Sequence, residues 1–476
     1  MSDSATLFRA ILIRTVKTSF TAAAAFLLIA ASYTYAVDAK PSDSCTKFGD
    51  AFQGTNDLIT LQAYRSTIAG LVEMEDFKQL ECIADSIRTN QSRFPGGKWQ
   101  LYTFYRGTSE VPGHSTEEDW NNLIGHLQRW SSANPKSITA PVALAQAYIN
   151  FGWHARGDGF SDSVSNSGWK LFGQRIEQAR KILDAAPAPP NRCPHWYSAM
   201  QSIARAQGWE MEDSLSLLKQ ATAFAPDYYY YYRYQATSML PKWEGQDGDA
   251  SRFAAQSADR VGGTKGDILY FRIAEGIACA CDEPEFTRFS WPRLQKGYDA
   301  IEKEYGASIS DLNLLAVMAT KNNDSVVADA AFKRIGDNYD IEKWITEEYF
   351  NQMKTWATQF APLEERSRKI KAEAEANALS PDGAGYQKKV EQRLAANIQN
   401  CAKEGDDKSR FEFMIQVGAD GIPKDGWAQQ PTAIGQCVLK NIYDSHVKNE
   451  ALFPKPPRGD YWMKLSFDPG ASVAAK

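Results

Sequence analysis

Between about residues 55 and 345, apolar side chains recur every three or four positions. In GWKLFGQRIEQARKIL, Trp169, Phe172, Ile176, Ala179 and Leu183 fall on one helical face, with Lys170, Arg175, Glu177 and Arg180 turned away from it. Such a stripe predicts an amphipathic helix. Further stripes follow, separated by breaks such as DAAPAPPNRCP, AFAPDY, RVGGTKGD and DEPEF. Proline and glycine end helices there, and alternating extended stretches are scarce. The region is predicted to be helical.

The helices are expected in pairs. First helices are predicted to begin near Thr139, Pro194, Asp227, Thr264 and Ser308, and the later intervals are 33, 37 and 44 residues. Those intervals fit two-helix solenoid repeats. The stretch LLKQATAFAPDYYYYY resembles a tetratricopeptide junction of divergent form: a second helix, an Ala-Pro break and an aromatic first helix. That resemblance spans roughly residues 115–345. Four stretches, RFPGGKWQLYTFYRG, ALAQAYINFGWHARGDGF, CPHWYSAMQSIARAQGW and DRVGGTKGDILYFRIA, also resemble exported bacterial proteins of unknown function built on such helices. That family implies the fold and brings no activity with it. The helical domain is placed at 45–360.

After Trp356 the texture changes. LEERSRKIKAEAEANALSPDGAGY is charged and alanine-rich and breaks at Pro381 and Gly383, which predicts a helix and linker over 361–384. One more helix, QKKVEQRLAANIQNCAKEG, precedes RFEFMIQVGADG, where Phe411, Phe413, Ile415 and Val417 alternate with Glu412, Met414 and Gln416. Period two with one apolar face predicts a half-buried strand that turns at Asp420-Gly421. A short extended piece, the helix TAIGQCVLKNIYDSH and a closing strand with Tyr461, Met463, Leu465 and Phe467 complete the chain. The fold class is therefore mostly α, a tetratricopeptide-like α-α solenoid with a small C-terminal α+β domain.

The order helix–strand–strand–helix–strand over 385–476 resembles the C-terminal domain of TonB-type energy transducers, carried by FEFMIQVGADG, the Cys437 helix and FPKPP…YWMKLSF. A helical domain stands where that family has a proline-rich spacer, so the resemblance implies partner binding rather than energy transduction. It also sets Cys401 and Cys437 one on each helix, where helices lying side by side on the sheet would join them in a disulfide.

The N-terminus adds an address. Arg9, Arg14 and Lys17 precede SFTAAAAFLLIAASYTYAVDA, which carries no charge before Asp38. A basic flank, an apolar run and small residues read as a signal peptide over 1–39, cleaved after Ala36 or Ala39. The competing reading is an uncleaved inner-membrane anchor, since about 20 uncharged residues just span a bilayer. Either way the rest of the chain is exported, and the periplasm is the expected location. Seven cysteines, all after the apolar run, suit an oxidising destination.

Chemistry is thin. At 476 residues the chain is long enough for two or three domains, and its net charge of -5 with no Lys/Arg block argues against nucleic-acid binding. None of the five histidines has zinc-site spacing. CPHWY offers Cys193 and His195, two ligands where a site needs three or four, and Pro194 suits the first turn of a helix. IACAC holds Cys279 and Cys281, for which helix packing or a disulfide to Cys193 is the ordinary reading. There is no nucleophile elbow, and VGGTKGD lacks the P-loop spacing. No catalytic residue, metal or cofactor is therefore assigned.

What stands out is aromatic density. Eight tryptophans fall between Trp99 and Trp243, and Tyr228–Tyr232 is an unbroken run of tyrosines. On a helix starting at Asp227, Tyr229 and Tyr232 share the core face with Ala236, while Tyr228, Tyr231 and Gln235 share another. In a solenoid that second face lines the concave groove. Tyr228, Tyr231, Gln235, Trp153, Arg156 and Trp196 are the expected partner-binding residues. The reading is an exported, non-catalytic scaffold that binds an envelope protein or peptide. A glycan- or cell-wall-directed binding protein or enzyme is the alternative.

Overall fold

The computed structural model describes residues 47–467, except 53, 55, 112–114, 158, 160, 187–192, 244, 280–282, 402–408, 430 and 431. Residues 1–39, read as a signal peptide or anchor, and Cys45 and Cys281 lie outside the described residues. The fold is mostly α with a small C-terminal α+β part, as the apolar periods predict. The chain divides into two compact units between Ser308 and Ile309.

The N-terminal unit contains α1 (Asp57–Glu73), α2 (Phe77–Thr89), α3 (Gln100–Ser109), α4 (Glu117–Ala133), α5 (Ala140–Arg156), α6 (Asn166–Asp184), α7 (Pro194–Ala206), α8 (Met211–Phe224), α9 (Tyr230–Ser238), α10 (Asp249–Val261), α11 (Gly263–Cys279) and α12 (Trp291–Tyr305). Their starts are set locally. Asn56, Asp76 and Ser165 accept backbone N–H groups in the first turns of α1, α2 and α6, and Thr116 forms a capping box with Asp119 at α4. Pro194 opens α7, where its missing N–H costs nothing.

Packing sorts the helices into two layers. From α3 onward the odd-numbered helices α3, α5, α7, α9 and α11 each pack on the next, and α6, α8 and α10 bridge neighbouring members of that row. The row is enclosed. Every residue of α7 from Pro194 to Ala204 is buried. Helix α6, in the outer layer, buries the stripe Phe172, Ile176, Ala179 and Leu183. A helix buried all round must be apolar or small all round, which explains the Ala-rich sequence of α5.

The row curls back on its start. Helix α12 packs on the turn Pro95–Gly97, and the Arg272 guanidinium donates to Gly96 O. Trp99 Nε1 donates to Asp227 O at 3.2 Å, and Ser308 Oγ donates to Asp57 at 2.7 Å. Aromatic rings then fill the middle. Tyr102 stacks on Tyr230 with centroids 3.7 Å apart, Tyr105 stacks on His195 at 4.4 Å, and Trp99 meets Tyr228 edge-on at 5.1 Å.

The C-terminal unit contains α13 (Ile309–Lys321), α14 (Ser325–Ile335), α15 (Glu347–Ala378), α16 (Gly383–Cys401), β1 (Phe411–Val417), β2 (Pro423–Gln429), α17 (Ala433–Val447) and β3 (Tyr461–Phe467). The sheet is antiparallel with order β2-β1-β3. Phe411, Phe413, Ile415 and Val417 face a core built with Val390 and Leu394 of α16, Ile434 and Val438 of α17, and Tyr461, Met463 and Leu465 of β3. The opposite face is also covered: Met414 and Trp462 pack with Ile370 and Ala374 of α15. Met414 is therefore buried, not half-exposed as alternation alone implies. Cys401 and Cys437 form the expected disulfide, with Cα atoms 5.7 Å apart.

At the head of this unit Asn313, fully buried, ties three segments together. Its Oδ1 accepts from Asp340 N and Trp344 Nε1 at 3.0 and 2.9 Å, and its Nδ2 donates to Ile309 O and Asn338 O at 2.8 and 3.1 Å. All four hydrogen-bonding positions of the amide are used.

Candidate functional site

The tyrosine run does not line a groove. Helix α9 begins at Tyr230, three residues later than expected, because Pro226 to Tyr229 form turns. All five tyrosines are buried, Tyr228 and Tyr231 completely. Gln235 and Trp196 are buried too. The groove-facing assignment of Tyr228, Tyr231, Gln235 and Trp196 is thus corrected. The reason is the curl of the inner row: α3 occupies the side that an open solenoid leaves to solvent. The ring hydroxyls are spent inside, Tyr231 on Pro194 O at 3.1 Å and Tyr229 on Tyr230 at 3.1 Å.

The Cys193–His195 pair is interior as well. Cys193 is a buried free thiol that accepts from the Tyr105 hydroxyl at 3.2 Å, so the alternative of a disulfide to it falls away. His195 Nδ1 lies 2.9 Å from the Tyr228 hydroxyl, and burial pulls its pKa down to about 3. The ring is held neutral at physiological pH, out of reach of a substrate. Among the described residues no three His, Cys, Asp or Glu side chains converge on a metal-sized site.

Trp153 and Arg156, by contrast, lie together on an accessible surface. Both are half-buried at the C-terminal end of α5. The first turn of α6 adds Trp169, 39% exposed, where the helical stripe assigned it to the core. The last turn of α7 adds Arg205, α9 adds Tyr234, and the loop after Pro241 adds Trp243. Trp153 and Trp243 meet edge-on at 5.9 Å. The Arg205 guanidinium carbon lies 5.2, 5.8 and 6.0 Å from the ring centroids of Trp243, Trp153 and Tyr234. Arg156 lies 5.6 and 5.5 Å from Trp153 and Trp169. Tryptophan and arginine therefore alternate across this end of the unit, each contact within cation–π range.

No described carboxylate pairs with the charges here. Among the described residues no carboxylate lies within ion-pair distance of Arg205, and its buried Nε has no hydrogen-bond partner. Burial lowers its pKa, opposed in part by Tyr234, yet a guanidinium stays protonated at any physiological pH. Arg156 donates to Gly157 O and Gly159 O at 3.0 and 2.8 Å and likewise meets no described carboxylate. Arg175 shows the ordinary alternative. Predicted to point outward, it is buried instead, and it donates to Phe151 O at 2.9 Å and to Glu117 at 2.6 Å.

Arg205 and Trp243 were missed by sequence reasoning. The signal for Arg205 was present: a lone charge in SIARAQG, the end of a helix otherwise buried on all sides. Such an arginine is either paired or exposes its tip, and this one has no carboxylate pair among the described residues. No helix among the described residues is long and apolar enough to cross a membrane. No protein-family profile matches the chain, and no curated protein matches it.

Proposed function

We propose that the protein is an exported, non-catalytic scaffold that binds a polypeptide partner at the bacterial cell envelope, taking an acidic stretch of it on the Trp153–Arg205 surface. On this reading the N-terminal unit is a divergent tetratricopeptide-like array, and the segment from α16 to β3 is a TonB-C-terminal-like partner module. The Cys401–Cys437 disulfide favours an oxidising compartment, as the periplasm is.

One observation carries the ligand class: the Arg205 guanidinium, walled by three aromatic rings and without a described carboxylate. A fork of N–H donors with apolar walls suits a carboxylate. Each charge-assisted hydrogen bond formed there contributes about 1.5–3 kcal/mol. The second reading is an acidic glycan, which the exposed Trp169 ring favours because sugar faces stack on tryptophan.

Retention of the exported chain on an immobilised Glu-rich peptide, a Lys-rich peptide and purified peptidoglycan separates the two. The scaffold reading expects retention on the Glu-rich peptide alone, weakened at least tenfold in Arg205→Met. Retention on peptidoglycan and on neither peptide replaces it with the glycan reading.

A further inference from the structure

We propose that a cleft between the turn Pro95–Gly97 and helix α11 is a second binding site, specific for a small amphipathic monocarboxylate. It is independent of the Trp153–Arg205 surface. Three of the stretches singled out in the sequence meet here: PGGKW, PDYY and GGTKGDILYFR.

The turn is held by a bridge between Arg93 and Trp99, with Phe94 N donating to Lys98 O at 2.9 Å. Gly96 and Gly97 both take positive φ, 76° and 74°, which only glycine adopts without strain. A Cβ on Gly97 would stand 2.5 Å from the Tyr305 ring, so the backbone and that ring close one side of the cleft. Val261, Ile268, Leu269 and Tyr229 form an apolar wall.

The charges in the cleft do not balance. Lys265 pairs with Asp227 at 3.1 Å, and Arg272 pairs with Glu275 at 3.1 Å. Arg93 lies with its guanidinium 3.7 Å above the Trp99 ring and 5.6 Å from that of Tyr305. Its one hydrogen bond among the described residues runs from Nη1 to Gly97 O at 3.1 Å, and no described carboxylate is within reach. Arg93 is thus a positive charge that no described carboxylate pairs, with free donors beside an apolar wall. A single carboxylate joined to a short branched chain satisfies both. A phosphate dianion would bring a second charge with no partner.

Size sets the same limit. The cavity volume is about 50 Å³, a few times what one water needs, so it takes a small group and not a nucleotide or a sugar chain. The chemistry has two sources, a free short-chain acid or the end of a polypeptide. The probes are isovalerate, N-acetyl-Gly-Gly-Leu with a free carboxylate, and the same tripeptide as its amide, titrated calorimetrically into the exported chain.

Binding of either acid, with the amide at least tenfold weaker, is expected. A preference for isovalerate names the free acid, and a preference for the tripeptide names the chain end. Arg93→Gln weakens the acid at least tenfold. Val261→Trp, at a residue 41% exposed, does so by filling the cleft while leaving Arg93 in place. Equal binding of acid and amide, no binding of either acid, or unchanged affinity in both variants overturns the assignment.

Discussion

His195 makes the stability of the N-terminal unit depend on pH in a calculable way. The imidazole is 2% exposed, stacked on Tyr105 and hydrogen-bonded to the Tyr228 hydroxyl. Burial lowers its pKa from 6.5 to about 3. The unfolded chain therefore binds this proton before the folded one does. Stability from the neutral ring is complete above pH 6.5 and is lost as pH falls toward about 3. At 1.36 kcal/mol per pH unit, the step from pH 8 to pH 5 removes about 2 kcal/mol.

Most carboxylates are still ionised at pH 5, so that window isolates the histidine from general acid unfolding. Glu81, raised mainly by burial, works in the opposite direction, and a difference between variants removes it. Urea unfolding followed by tryptophan fluorescence at pH 8, 6.5 and 5 should show the loss in the wild-type chain. In His195→Gln, which can still bond to Tyr228, the slope should be absent. The His195 ring proton signal should also stay put in an NMR titration over the same range. A midpoint near 6.5 for that signal, or an undiminished slope in His195→Gln, refutes the reasoning.

Three further outcomes are expected. Asn313→Ala leaves buried donors and acceptors from α13 and the segment 338–344 unpaired and should cost about 3 kcal/mol in chemical denaturation of the C-terminal unit. Replacing both Cys401 and Cys437 by serine opens a 36-residue separation and should cost about 2–4 kcal/mol, with no added effect of reductant on the variant's β-sheet signal. Arg205→Met removes a desolvated cation that has no described carboxylate partner, so its melting temperature should stay level or rise, in contrast to a drop of about 2 kcal/mol for Arg175→Met.

The helical starts were legible because their causes are local. Thr139, Pro194 and Thr264 sit at or within a residue of the observed boundaries of α5, α7 and α11. The strand FEFMIQV was legible from its period, and the disulfide from the helices on either side of it. Trp169 and Arg175 were misassigned for one reason. Periodicity places a residue on a face, but which neighbour meets that face is a long-range matter. Phe151 O lies 24 positions from Arg175, and nothing near Arg175 in sequence foretells that this carbonyl will need a donor. The burial of Met414 has the same origin, since α15 arrives from more than 30 residues away.

The tyrosine run carries the broader lesson about where a site is found. Aromatic abundance points to Tyr228–Tyr232, yet Tyr228, Tyr229, Tyr231 and the neighbouring Trp99 already hydrogen-bond within the fold. Tyr228 is paired with His195, Tyr229 with Tyr230, Tyr231 with Pro194 O, and the Trp99 indole with Asp227 O. A ring whose hydroxyl is already bonded offers a ligand only area, and here the area is buried too. Arg93 and Arg205 are the converse. Each lies against aromatic rings as a packing residue does, but each keeps hydrogen-bonding capacity and charge that no described side chain answers. Holding such a group half-buried works against stability, because a desolvated cation without a partner is worse than an apolar side chain of the same shape. Unused donors at a folded surface, more than the residue types that surround them, are what single out Arg93 and Arg205 as candidates for the two proposed binding sites.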